Sequence, residues 1–60
     1  MNQSVFRLDD VRQCVRLSKS QIYSLISRGD FPKPFKLSER ASAWDPQEIH
    51  DWIESRKAAA

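Results

Sequence analysis

From Leu17 to Gly29 the chain reads Leu-Ser-Lys-Ser-Gln-Ile-Tyr-Ser-Leu-Ile-Ser-Arg-Gly, and its polar side chains are hydroxyls, one amide, one phenol and two cations. These groups exchange hydrogen bonds or carry positive charge, and the chemistry they support is recognition. Lys19 and Arg28 suit phosphate, Gln21 matches the donor and acceptor on an adenine edge, and Ser20, Ser24 and Ser27 tolerate several bases. Tyr23 offers a ring to pack and a hydroxyl that can reach a phosphate. Farther along, Lys36 and Arg40 add two cations suited to the nucleic-acid backbone. The competing reading of Arg28, Lys36 and Arg40 is ordinary surface pairing with Asp30 or Glu39, worth only about 0 to 1 kcal/mol.

The element that must carry these groups is written locally. Ser18 is a helix N-cap, Gln21 three residues later completes a capping box, and Gly29 supplies a left-handed stop. At about 100° per residue, Ile22, Leu25 and Ile26 fall on one side, and Ser20, Tyr23, Ser24 and Ser27 on the other. Small side chains on that outer face let the helix backbone come close to base edges. Ser18 and Lys19 open the helix, where free N–H groups also favour a phosphate. Gln21 is claimed equally by the capping box and by base reading.

The flanking segments predict a mainly α fold with a small β-hairpin. Asp9 or Asp10 caps a first helix of about two turns with Val11, Cys14 and Val15 inward and Arg12 and Gln13 outward. Arg16-Leu17 is a tight connection of helix-turn-helix type, with Leu17 plugging the core. Phe31-Pro32-Lys33-Pro34 cannot be helical and forms a stiff elbow. Phe35-Lys36-Leu37 and Ser42-Ala43-Trp44 alternate across Ser38-Glu39-Arg40-Ala41 as a two-stranded wing with one buried face. Asp45-Pro46-Gln47-Glu48 starts a last helix with an N-cap, a proline at the first position and a glutamate at the capping-box position; Ile49, Trp52 and Ile53 form its buried stripe, and it ends near Arg56 or Lys57. Trp44 and Trp52 are assigned to the core. The domain is expected over 5–57, with disordered tails at 1–4 and 58–60.

Sixty residues make one small domain. Net charge is only +2, but residues 11–40 carry seven Lys or Arg against Asp30 and Glu39, whereas residues 45–60 carry four acids against Arg56 and Lys57. One side is thus expected to face phosphates and the other to face away. The single Cys14 forms no internal disulfide and fits a reducing compartment. His50 has no ligand partners at metal-binding spacing. No apolar run approaches the ~20 residues of a membrane span, and no basic-then-apolar leader opens the chain. There is no Ser/His/Asp constellation and no glycine-rich phosphate loop. The expectation is therefore a cytoplasmic protein without catalytic residues, metal or cofactor.

The order Leu-Ser-x-Ser-x-Ile-Tyr, Gly-x-Phe-Pro-x-Pro, Lys-Leu, Arg-x-x-x-Trp and Asp-Pro-x-Glu-Ile-x-x-Trp-Ile, spanning Phe6 to Arg56, resembles the AlpA family of small prophage regulators. That family groups with MerR-like and excisionase-like winged helix-turn-helix proteins. The resemblance implies sequence-specific binding of double-stranded DNA, with Lys19 to Arg28 as the recognition helix, Lys36 to Arg40 as the wing and Trp44 closing the wing onto the core. Its first implication is a transcriptional regulator. The alternative is a recombination directionality factor that bends DNA for an integrase, so that an integrase or a second copy on adjacent sites joins DNA among the partners. A third reading, an adaptor whose acidic last helix binds a protein, needs no DNA. Two positions depart from the family pattern: Arg16 stands in the turn, and Ser38 in the wing, where glycine is usual.

Overall fold

A computed structural model describes residues 5–59, in the order α1 (Leu8–Val15), α2 (Lys19–Ser27), β1 (Phe35–Ser38), β2 (Ala41–Ala43) and α3 (Pro46–Ala59). This is the expected three-helix domain with a two-stranded antiparallel hairpin, compatible with a winged helix-turn-helix. The tail expected at 1–4, and Ala60, lie outside the described residues. α3 continues through Ala58 and Ala59, beyond its predicted end.

The ends of the helices show why they stop where they do. α2 has the predicted capping box in both directions: Gln21 N–H donates to Ser18 Oγ at 3.2 Å, and Ser18 N–H donates to Gln21 Oε1 at 3.0 Å. Its other end is a Schellman turn, with Gly29 N–H donating to the Ile26 carbonyl, Asp30 N–H to the Leu25 carbonyl, and Gly29 at φ +77°. The start of α1 differs from expectation. Its N-cap is Arg7, and Asp10 acts from the third helical position by accepting from Arg7 N–H at 2.9 Å. A carboxylate there satisfies an orphan donor and favours the positive helix end, so either site for the acid gives nearly the same benefit. At α3, Asp45 accepts from Gln47 N–H at 2.9 Å, and the reciprocal contact expected of Glu48 is absent among the described residues.

Val11, Ile22, Phe31, Ala43, Trp44 and Ile49 form the buried centre, ringed by Cys14, Val15, Leu17, Leu25, Ile26, Trp52 and Ile53 among others. Each helix thus supplies the stripe its periodicity predicted. Phe31 was legible only as part of the elbow; it is buried and meets Trp52 edge-on at 4.7 Å between centroids. The non-helical elbow leaves carbonyls that both tryptophans satisfy. Trp44 Nε1 donates to the Pro32 carbonyl at 3.0 Å, and Trp52 Nε1 to the Asp30 carbonyl at 2.7 Å. Trp44 also exchanges two backbone hydrogen bonds of 2.8 Å with Phe6, binding the segment before α1 to the end of the wing.

The wing departs from the predicted single buried face. All four residues of β1 are exposed, including Phe35 and Leu37, and β2 is the strand that meets the core, through Ala43. The turn is two residues, Glu39 and Arg40, rather than four, because Ser38 pairs with Ala41. Neither turn residue has positive φ. A two-residue hairpin normally has a primed turn; here the turn lacks positive φ and the strands carry a register shift between Lys36 and Ser38, an irregularity of the kind that raises local twist. The hairpin therefore works with serine at position 38. The other departure, Arg16, adopts the left-handed conformation itself, at φ 61° and ψ 35°.

Candidate nucleic-acid interface

All ten candidate residues, Ser18, Lys19, Ser20, Gln21, Tyr23, Ser24, Ser27, Arg28, Lys36 and Arg40, are exposed. They differ in how far their polar groups are already engaged. Ser18 Oγ accepts the capping bond but keeps its proton to donate. Gln21 has its carbonyl oxygen engaged by Ser18 N–H, which leaves its NH₂ and one lone pair of that oxygen. A bidentate pair with adenine needs both ends of the amide. With the cap closed Gln21 keeps both amide N–H donors but shares its oxygen with Ser18 N–H, so capping and base reading compete for the same group. Ser27 Oγ donates to the Ser24 carbonyl at 2.9 Å, leaving it an acceptor. The hydroxyls of Ser20, Tyr23 and Ser24 have no hydrogen-bond partner among the described residues.

The cations are equally telling. Ion pairs among the described residues are Asp9 with Arg12 at 4.0 Å and Glu54 with Lys57 at 3.3 Å, both within single helices. The surface pairs that would have neutralised Arg28 with Asp30 and Arg40 with Glu39 do not form. Among the described residues Lys19, Arg28 and Arg40 have no ionic partner, and Lys36 makes only a 3.3 Å hydrogen bond from Nζ to the Glu39 carbonyl, which holds the ammonium near the wing tip without cancelling its charge. These positive groups are thus left to solvent or to an external anion.

The outer face of α2 divides into two flanks. One is a shallow groove with Ser20, Gln21, Ser24 and Arg28 around Leu17 and Leu25. Its apolar surface was not foreseen, because both leucines read as core; each is only half-buried and serves both sides. The other flank carries Tyr23, which faces a cleft shared with Arg7, Arg40 and Ser42. Arg7 is the residue that periodicity missed. It lies before α1 and reaches the wing only because Phe6 pairs with Trp44, a contact between residues far apart in sequence with no local signature. Arg12 and Arg16 line a third concavity beside Ser18.

On α3, Arg56 lies over the Trp52 ring at 4.9 Å and donates to the Asp30 carbonyl at 3.0 Å. His50 meets the ring of Phe6 edge-on at 6.1 Å. Among the described residues no group of three or more His, Cys, Asp or Glu gathers as a metal site, and no helix is long and apolar enough to cross a membrane.

A family model described as "Prophage CP4-57 regulatory protein (AlpA)" matches residues 4–57. A protein of Enterobacteria phage P4, described as uncharacterized protein ORF88, is 36% identical over 52 residues, covering 87% of this chain and 59% of that protein. The chain therefore spans about three-fifths of that relative's length.

Proposed function

The chain belongs to the AlpA family of prophage regulatory proteins, and from that premise we propose that it regulates transcription by binding duplex DNA sequence-specifically, with α2 in the major groove and the wing on the adjacent backbone or minor groove. The observation that carries this reading is the set of exposed cations without an ionic partner among the described residues, Lys19, Arg28 and Arg40, arranged around a helix face of small hydroxyl side chains. Phosphate contacts position such a domain and base-edge contacts specify its site. Ser20 and Ser24 have free hydroxyls for base edges, and the exposed parts of Leu17 and Leu25 suit a thymine methyl group. Arg28 at the end of α2 and Lys36 and Arg40 on the wing suit the backbone on either side.

The test is a binding titration at several salt concentrations, using duplexes selected from a random pool. Neutralising about four to six phosphates predicts a log–log salt slope of roughly −4 to −5. A complex indifferent to salt, or no selected duplex at all, defeats the reading and leaves the adaptor hypothesis standing.

A further inference from the structure

We infer that Arg7, Tyr23 and Arg40 together seat one phosphate of the DNA backbone in the cleft between the start of α1, the recognition helix and the wing. This rests on the duplex-binding reading above and assigns it a specific site. Three separated parts of the sequence converge there: Arg7 from the N-cap of α1, Tyr23 from the exposed face of α2, and Arg40 from the wing turn. The hairpin register agrees, because Ser42, which lines the same cleft, sits two residues from Arg40 and opposite Lys36. Directly paired residues share a face of the hairpin, so Lys36 adds its charge on the Ser42 side, while Arg40 enters the cleft from the turn.

Neither guanidinium has an ion pair among the described residues, and the Tyr23 hydroxyl has no hydrogen-bond partner. Arg7 contributes to the fold through its backbone, whose N–H is held by Asp10, and its side chain makes no hydrogen bond that would occupy it. Two forked cations and a phenol match the acceptor oxygens of a phosphodiester, which takes arginine bidentately. One group opposes the assignment. Asp9 borders the cleft, and its carboxylate would repel a phosphate; it is turned toward Arg12 at 4.0 Å, which offsets part of that charge.

The experiment uses the full chain and a duplex selected on it, with a single neutral methylphosphonate linkage scanned along the backbone. In the wild type, one linkage should weaken binding about tenfold when neutralised. In Arg7→Ala and in Arg40→Ala that same linkage should lose most of its effect, and each variant should lower the salt slope by about one unit. Tyr23→Phe should weaken binding several-fold with the slope unchanged, since no charge is removed. Asp9→Asn should tighten it. Arg7→Lys, which keeps the charge but not the fork, should recover the slope and only part of the affinity, and melting curves for all variants control for folding.

The inference is overturned if Arg7→Ala and Arg7→Lys both bind with wild-type affinity and slope, or if Arg7 and Arg40 map to different linkages. Those outcomes leave duplex binding by the wild type intact, so they are distinct from failure of the underlying reading, in which the wild type selects no duplex.

Discussion

Arg28 and Arg40 on the α2 and wing surface and Arg56 on α3 are the same residue type at similarly exposed positions, yet they do opposite things. Arg56 is used internally: it covers Trp52 and, with the indole of that residue, donates to the Asp30 carbonyl just beyond the end of α2. That carbonyl has two lone pairs and both are filled. Arg28 and Arg40 have nothing comparable, and nearby Asp30 and Glu39 do not take them up. A protein's own charges are normally left unpaired on the surface at little cost, so one free arginine means nothing. What distinguishes the α2 and wing surface is that free cations, free hydroxyls and a groove coincide there, while the α3 side spends its arginine on holding the elbow.

The most damaging way to test this division is to remove what joins the two sides. Trp44 is 1% exposed, bonds its indole to the Pro32 carbonyl and pairs its backbone with Phe6. Trp44→Ala should cost about 3 to 5 kcal/mol, comparable to the stability of so small a domain, and leave the chain largely unfolded by circular dichroism. A well-folded Trp44→Ala protein would show that the wing is fixed by other contacts.

Arg56→Ala ranks next. Losing a hydrogen bond and a partly exposed cation–π contact predicts about 1 to 2 kcal/mol of destabilisation, with DNA affinity per folded molecule and salt slope unchanged. Arg40→Ala should do the reverse, keeping the melting temperature while weakening all duplexes by a similar factor. Ser24→Ala should change sequence preference more than salt slope. Equal behaviour of Arg40→Ala and Arg56→Ala in melting and binding would erase the distinction between the two surfaces.

What could be read in the sequence follows the range of the interactions. The cap at Ser18, the stop at Gly29, the N-cap at Asp45 and the inward stripes of all three helices depend on residues within about one turn of each other, and the structure has them. The misplacement at the first helix has the same origin: two adjacent acids each offered a cap, and the chain uses Asp10 from inside the helix. By contrast, the burial of Phe31, the pairing of Phe6 with Trp44 and the bonding of Arg56 to Asp30 join segments separated by a dozen residues or more. No periodicity encodes such contacts. The place of Arg7 beside the wing is illegible for that reason, whereas the exposure of Lys19, Tyr23 and Arg28 is legible because a capped helix alone determines which of its residues point outward. The exposure of β1 is a third case, since alternation marks a strand but does not say whether anything covers its apolar face.

The smallest expected effect concerns Arg16, in the turn between α1 and α2, where the backbone bears strain. Arg16 is the one non-glycine residue at positive φ among the described residues, and its N–H donates to the Arg12 carbonyl at 2.7 Å as the chain turns from α1 toward α2. A left-handed conformation costs an ordinary L-residue on the order of 1 to 2 kcal/mol. Glycine adopts it without that cost but loses more backbone entropy on folding, which returns roughly half of the gain. Arg16→Gly should therefore stabilise the domain by about 0.5 to 1 kcal/mol, raising the melting temperature by roughly 2 to 8 °C for a chain of this size. Arg16→Asn, which tolerates the conformation better than arginine, should fall between the two, and Arg16→Val, with a branched Cβ, should melt below the wild type. Thermal denaturation of the four proteins gives the order directly. If Arg16→Gly melts lower than the wild type, the turn is held by the arginine side chain rather than endured by its backbone, and Arg16 would join Arg56 among the cations the fold uses for itself.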